Sequence, residues 1–269
     1  MIGFIGCGNM GTALIKGMLN GGLNPKEIFA HDHNASKIKA ISTEINICSD
    51  AKEVAQKSKY IFLAVKPYTY DNVLAEIKDF IDDNKILVTM AAGYEINRVE
   101  AVVGHRKVIR TMPNTPSLVG KGFIAVSYNN LLTDEEKAYF EELLGNIGIL
   151  QVIKEDLMNA YSAITGSGPA FVFNFIEAMA DAAVLIGIPR AEAYKAVEMM
   201  ILGSAELALN TSKHPGELKD MVTSPGGTTI EGIRTLEEKG FRSTIIECVI
   251  NTYKKNLDIK NIRWYVWSY

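Results

Sequence analysis

Three glycines, Gly6-x-Gly8-x-x-Gly11, stand directly after the apolar run Ile2–Ile5, and Ala13, Leu14, Ile15, Met18 and Leu19 follow at helical spacing. The pattern predicts strand, tight turn and helix. Gly6 permits the turn, Gly8 lets a pyrophosphate approach the backbone, and Gly11 lets the helix sit close to the strand. The helix mouth adds unpaired N–H groups and a partial positive charge. Asn9 and Met10 complete the turn, with Cys7 as a small filler rather than a nucleophile. The chemistry implied is dinucleotide binding.

A second anion-binding pattern lies far downstream, at Ser224-Pro225-Gly226-Gly227-Thr228-Thr229. Two glycines expose backbone N–H groups, two threonines add hydroxyls, and the following helix adds its dipole. A small carboxylate fits such a loop. The same residues would also cap a helix with no ligand. Gly166-Ser167-Gly168-Pro169 is a further glycine-rich helix start.

Other polar or small residues fall where apolar strands end, which is where open α/β sheets bind ligands. Asp32 lies twenty-one residues after Gly11, placed for a ribose 2′-hydroxyl and hence NAD(H). His31, His33, Asn34, Ser36 and Lys37 crowd the same turn and suit a 2′-phosphate, hence NADP(H). The two readings compete, with NADP(H) slightly ahead. Ala64-Val65-Lys66-Pro67, Ala91-Ala92-Gly93 and Met112-Pro113-Asn114-Thr115-Pro116 end three more strands. Lys66 is either turned to the coenzyme or a solvated turn lysine. The alanines leave room for a flat ring, and the two prolines stiffen one wall. No Gly-x-Ser-x-Gly elbow, Walker loop or metal-spaced His/Cys cluster occurs. No metal site is expected.

The elements that must carry these groups alternate through the first half. Strands are predicted at Glu27–His31, Tyr60–Val65, Lys85–Met90, Val108–Met112, Gly122–Tyr128 and Ile149–Ile153, and helices at Ser36–Ile41, Asn72–Ile81 and Thr133–Leu144. Such alternation implies a parallel sheet covered on both faces. Thr133 and Glu136 read as a capping box. After Ile153 only helices are expected: Asp156–Ala163, Ala170–Ile186, Ala191–Leu209, Pro215–Val222, Thr229–Lys239 and Thr244–Leu257. Ala170–Leu185 is apolar nearly all round, so it must be buried within its domain or against a second subunit. The fold class is α/β, a Rossmann-type dinucleotide-binding domain over residues 1–153 and an all-helical dimerisation and substrate domain over 154–269.

Net charge is −3 over 269 residues with mixed signs, which argues against nucleic-acid or membrane-surface binding. No stretch reads as long and apolar enough to span a bilayer. Three scattered cysteines, Cys7, Cys48 and Cys248, suggest reduced thiols in a cytoplasmic protein, and the N-terminus shows no secretory leader.

With these motifs assembled in order, and with His214-Pro215 preceding the Ser224–Thr229 loop, the chain resembles the pyrroline-5-carboxylate reductase family along nearly its whole length. The resemblance implies NAD(P)H-dependent reduction of a cyclic imine, 1-pyrroline-5-carboxylate, to L-proline. It implies that backbone N–H groups at Gly227, Thr228 and Thr229 hold the substrate carboxylate beside Gly226 and Ser224, with the Thr229 hydroxyl near the ring nitrogen. Helical domains would interlock as a homodimer, and dimers can form a decamer. Two features depart from the family pattern: the mixed turn at Asp32, and the aromatic tail Asn261–Tyr269. Two other readings are open to such a chain. A β-hydroxyacid dehydrogenase would need a catalytic lysine in a helical Gly-Gly-x-x-x-Gly-x-x-x-x-x-Lys pattern, which is not found. A regulatory paralogue without turnover would have no need of the Ser224–Thr229 loop.

Overall fold

The computed structural model describes residues 1–261. The first half alternates strand and helix: β1 Ile2–Ile5, α1 Asn9–Asn20, β2 Ile28–His31, α2 Ala35–Lys39, β3 Asn46–Ile47, α3 Ala51–Lys57 and β4 Tyr60–Leu63. It continues through α4 Tyr70–Ile77, β5 Ile86–Thr89, α5 Ile96–Val103, β6 Lys107–Met112, β7 Gly122–Tyr128, α6 Asp134–Leu144 and β8 Gly148–Val152. The eight strands form one sheet in the order β3-β2-β1-β4-β5-β6-β7-β8. Strand order reverses between β1 and β4, where such sheets take their ligands.

The central strands are apolar on both faces because both are covered. Phe4, Phe62, Val88 and Ile109 join a core with Leu14, Met18 and Phe140, while Ile61, Leu63, Leu87 and Val108 join another with Val54, Leu74 and Val99. α3 and α5 were not anticipated. α3 is polar over much of its length, and its start is local chemistry instead: Asp50 accepts from the Glu53 amide at 2.8 Å, and Glu53 accepts in return from Ser49. The Thr133–Glu136 capping box forms as expected.

The sheet is not wholly parallel. β7 runs antiparallel to β6, and β8 then pairs parallel with β7. Only a short 3-10 turn, Thr115–Val119, links β6 to β7. A parallel return needs a crossover of a dozen residues or more, so the chain doubles back.

The later helices are α7 Met158–Tyr161, α8 Gly168–Leu185, α9 Arg190–Thr211, α10 Pro215–Met221, α11 Thr228–Glu238 and α12 Phe241–Asn261. Contacts divide the described residues into one unit of Met1–Ser167 with 252–261 and another of Gly168–Asn251. The expectation that no segment could span a bilayer needs correction. Glu155–Leu185 is one helical run of 31 residues, long and apolar enough by length and composition alone. The Gly166–Pro169 signal suggested a break there, but the backbone carries on through a π-turn at Ser162–Gly166, with Ser167 N–H donating to Ser162 O at 3.0 Å. Within this single chain α8 is little buried: Phe173 is 61% and Leu185 87% exposed. The aromatic tail falls largely outside the described residues.

Candidate functional sites

The first site is built by the β1–α1 turn. Gly6 has φ +94°, and a Cβ there would stand 2.7 Å from the Ala64 carbonyl oxygen. A Cβ on Gly11 would lie 2.6 Å from the Gly6 oxygen, so α1 packs against the turn as closely as the backbone permits. Gly8 differs, because a Cβ there would meet nothing within 4 Å. The space above it is open on the side where a pyrophosphate would lie. α1 has no capping side chain. The first α1 bond runs from Thr12 N–H to Gly8 O, and among the described residues the amides of Gly8, Asn9, Met10 and Gly11 have no acceptor. These features fit a dinucleotide.

Cys7 is different. Its N–H donates to Asp32 Oδ2 at 2.8 Å, and its thiol is buried. Burial pushes that thiol up to about 12, helped by nearby Asp32, with Lys37 acting the other way. A buried, un-ionised thiol is a poor nucleophile.

Asp32 is committed to the turn itself. Oδ2 takes the Cys7 amide, Oδ1 takes the Asn34 amide at 2.9 Å, and Lys37 Nζ lies 3.3 Å from Oδ1. Burial works against ionisation, but the Asn34 and Cys7 amides and Lys37 outweigh it and hold the carboxyl below its ordinary range. Asn34 also caps α2, accepting from Ser36 N–H. The Asp32 carboxylate therefore joins the glycine turn to the β2–α2 turn, a role its position in the sequence did not reveal. His33 and Asn34 share this turn with exposed Lys37.

The remaining candidates end neighbouring strands. Ala64 and Val65 follow β4. Lys66 is exposed, makes no ion pair among the described residues, and precedes a 3-10 turn that opens at Pro67. Ala91 is buried after β5, and Gly93 has φ +72°. Tyr70 stitches these two ends together: its hydroxyl donates to Leu63 O and accepts from Met90 N–H. Burial raises that phenol to about 12, so it stays protonated and able to donate. Pro113 and Asn114 follow β6. The coenzyme candidates thus line the carboxyl ends of five adjacent strands, β2, β1, β4, β5 and β6.

The Asn114 side chain is buried and faces backbone. Oδ1 accepts from Phe123 N–H at 2.9 Å, and Nδ2 donates to Thr165 O at 3.0 Å. Arg110 was not singled out in the sequence. It is 1% exposed, and Nη1 donates to Glu155 Oε1 at 2.9 Å. The same oxygen accepts from Ile96 N–H at the start of α5. An arginine inside Val108-Ile109-Arg110-Thr111-Met112 was the available signal, since a cation in a buried strand needs a partner.

The second site is the loop between α10 and α11. Gly226 has φ +66°, which favours glycine. Gly227 N–H donates to Ser224 O at 3.1 Å and closes the loop, and a Cβ on Gly227 would collide with Ser224 Oγ at 2.4 Å. α11 begins at Thr228 with no capping side chain. Of the three amides expected to hold an anion, that of Gly227 is committed within the loop. Those of Thr228 and Thr229 have no acceptor among the described residues. The loop is solvent-exposed apart from half-buried Gly227. No group of three or more potential metal ligands occurs among the described residues.

Comparison with known proteins places these features in context. Residues 155–259 match the family described as pyrroline-5-carboxylate reductase dimerisation, and residues 1–93 match NADP oxidoreductase coenzyme F420-dependent. Pyrroline-5-carboxylate reductase of Escherichia coli K12 is 46% identical over 95% of this chain and 96% of its own. The enzyme of that name from Pisum sativum is 35% identical over 96% and 95%. A crystal structure of Plasmodium falciparum pyrroline carboxylate reductase with NADP bound superposes with a TM-score of 0.88 at 33% identity, covering 96% and 97% of the two chains.

Proposed function

The chain belongs to the pyrroline-5-carboxylate reductase family, and from that premise we infer how its own residues reduce 1-pyrroline-5-carboxylate to L-proline. The observation that carries the reading is the uncapped first turn of α11 behind Ser224-Pro225-Gly226-Gly227. Open amides at Thr228 and Thr229, with the helix dipole behind them, hold the substrate carboxylate. Gly226 gives the loop its left-handed turn, and the Gly227 amide keeps it closed on Ser224. The Ser224 hydroxyl stands beside the anion. The Thr229 hydroxyl hydrogen-bonds the ring nitrogen as its charge changes.

The coenzyme supplies a hydride to the carbon of the C=N bond. The chain's task is to hold the dinucleotide on the amides of Gly8, Asn9, Met10 and Gly11. Ala64, Val65, Lys66, Pro67, Ala91, Ala92 and Gly93 shape the nicotinamide side, with Pro113 and Asn114 as the stiff wall. Orientation is the main catalytic contribution, because the imine already carries its own basic nitrogen.

The enzyme uses NADP, and we place NADPH ahead of NADH. Asp32 spends its carboxylate on the Cys7 and Asn34 amides and on Lys37. The negative charge of Asp32 is thus already answered by Lys37, and exposed His33, Asn34 and Lys37 share the turn where a 2′-phosphate would lie. The unpartnered apolar surface of α8 supports a homodimer through the helical domain rather than a span of lipid. A decamer of such dimers and a cytoplasmic location follow from the family resemblance and the reduced thiols.

Kinetics of the purified protein with 1-pyrroline-5-carboxylate test this, using each coenzyme in turn. Proline formation is expected with both, at higher kcat/KM for NADPH. Coenzyme binding with no proline formed would favour a regulatory paralogue and refute the assignment.

A further inference from the structure

Asn114 follows β6 beside the proposed nicotinamide pocket, yet both hydrogen bonds of its amide go to backbone. Oδ1 accepts from Phe123 N–H, and Nδ2 donates to Thr165 O. Its 8% exposure leaves little for a ligand to reach. The partner carbonyl explains the choice of residue. Thr165 lies in the π-turn Ser162–Gly166. In an α-helix its carbonyl would accept from the amide four residues on, but that residue is Pro169, which has no N–H. The Asn114 amide supplies a donor at this point. The Thr165 hydroxyl is occupied elsewhere, donating to Tyr161 O at 2.9 Å.

Other bonds fix the same segment to the sheet. Glu155 holds Arg110 and the Ile96 amide, Phe123 stacks on Tyr161 with centroids 5.7 Å apart, and Ser127 Oγ donates to Ile153 O. Asn114 differs from these in lying within the loop that ends β6. It joins three backbones: that loop, the start of strand β7, and the π-turn. π-turns inside helices often mark functional positions.

We propose that Asn114 is a positioning residue for the reductase reaction. It acts through its bond to Thr165 O, which sets the stiff wall at Pro113–Asn114 and the π-turn at Thr165–Gly166 in one fixed arrangement. The proposal rests on the reductase reading. It differs from direct coenzyme contact, because the side chain is spent on protein. Coenzyme affinity comes mainly from the Gly6–Gly11 turn, so losing the bond affects the geometry of transfer more than binding.

The test uses Asn114→Asp, which keeps an acceptor for Phe123 N–H and removes the donor to Thr165 O. On the full chain, kcat falls about 10–10²-fold, the size expected when a reacting group is misplaced by about 1 Å. Coenzyme Kd, measured separately by titration, changes less than about threefold. Without coenzyme, amide exchange of Ser167 speeds up while that of Phe123 does not. The kcat deficit shrinks at low pH, where the new carboxyl is protonated and donates again. Asn114→Ala, which removes both bonds, shows the same kcat loss and serves if the charged variant fails to fold. Adding Pro169→Ala to Asn114→Ala returns an N–H to the helix; recovery of thermal stability without recovery of kcat is expected. Unchanged kcat in the single variants, or kcat restored by Pro169→Ala, overturns the proposal. Wild-type enzyme that forms no proline would instead remove the reductase reading beneath it.

Discussion

Gly8→Ala separates folding from coenzyme binding more cleanly than any other change in the glycine turn. The backbone at Gly8 has φ −72° and ψ −168°, which alanine adopts freely, and its Cβ would meet no atom within 4 Å. Gly8 is also the N-cap of α1, where alanine costs up to about 1 kcal/mol relative to glycine. Loss of unfolded-chain freedom offsets this by roughly 0.4–1 kcal/mol. Stability should therefore change little. The methyl group would stand where the pyrophosphate must approach the amides. Losing the equivalent of one or two hydrogen bonds to charge, at about 1.5–3 kcal/mol each, sums to about 3 kcal/mol. At about 1.4 kcal/mol per decade, Kd for NADPH rises about 10²-fold. Fluorescence titration reads the Kd, and a thermal melt reads the fold. Gly11→Ala is the control: its Cβ would press on the Gly6 oxygen at 2.6 Å. Overpacking of that kind costs about 1–3 kcal/mol, with a Tm lower by roughly 2–4 °C for each. A Gly8→Ala protein with normal Tm and unchanged Kd would refute this account of the turn.

Thr229→Ala should lower kcat by on the order of 10–10³-fold, as for loss of one aligned donor; steady-state kinetics on the folded variant checks this, and an unchanged kcat removes Thr229 from the mechanism. Phe173→Asp places a charge on a 61% exposed apolar site of α8 and should shift the proposed homodimer towards monomer in sedimentation velocity. Asp32 has a depressed folded pKa, so its stabilisation is complete above the ordinary carboxylate value of about 3.9 and fades as pH falls through the lower folded one. The Tm gap between wild type and Asp32→Asn should therefore stay constant above about pH 5 and narrow towards pH 3; a gap that widens on acidification would contradict the sign. Cys7 and Cys48 are buried, with thiols at about 12 and about 11, and should resist alkylation at pH 8 until the protein unfolds. Mass spectrometry of labelled peptides reads this directly.

The features legible in the sequence were those made by neighbours in the chain. Gly6, Gly8 and Gly11 announced a turn because each answers a short-range steric demand. Thr133 and Glu136 announced a helix start because two residues only three positions apart close the capping box. The α8 composition required cover, since a helix apolar all round has no face for water. What covers it is not a property of one chain's composition.

Tertiary structure decided what depends on distant residues meeting. Asp32 has the sequence position of a ribose-binding acid, and only the fold shows that its carboxylate also takes the Cys7 amide at 2.8 Å and ties the glycine turn to the β2–α2 turn. Asn114 meets Thr165 across 51 positions, and Arg110 meets Glu155 across 45. The helix runs on through Gly166 and Pro169, where a π-turn and a donor from a remote loop serve the backbone. The residues themselves carry propensity and spacing; only folding brings a particular donor to a particular acceptor, and that meeting determines whether a polar side chain binds a ligand or holds the scaffold.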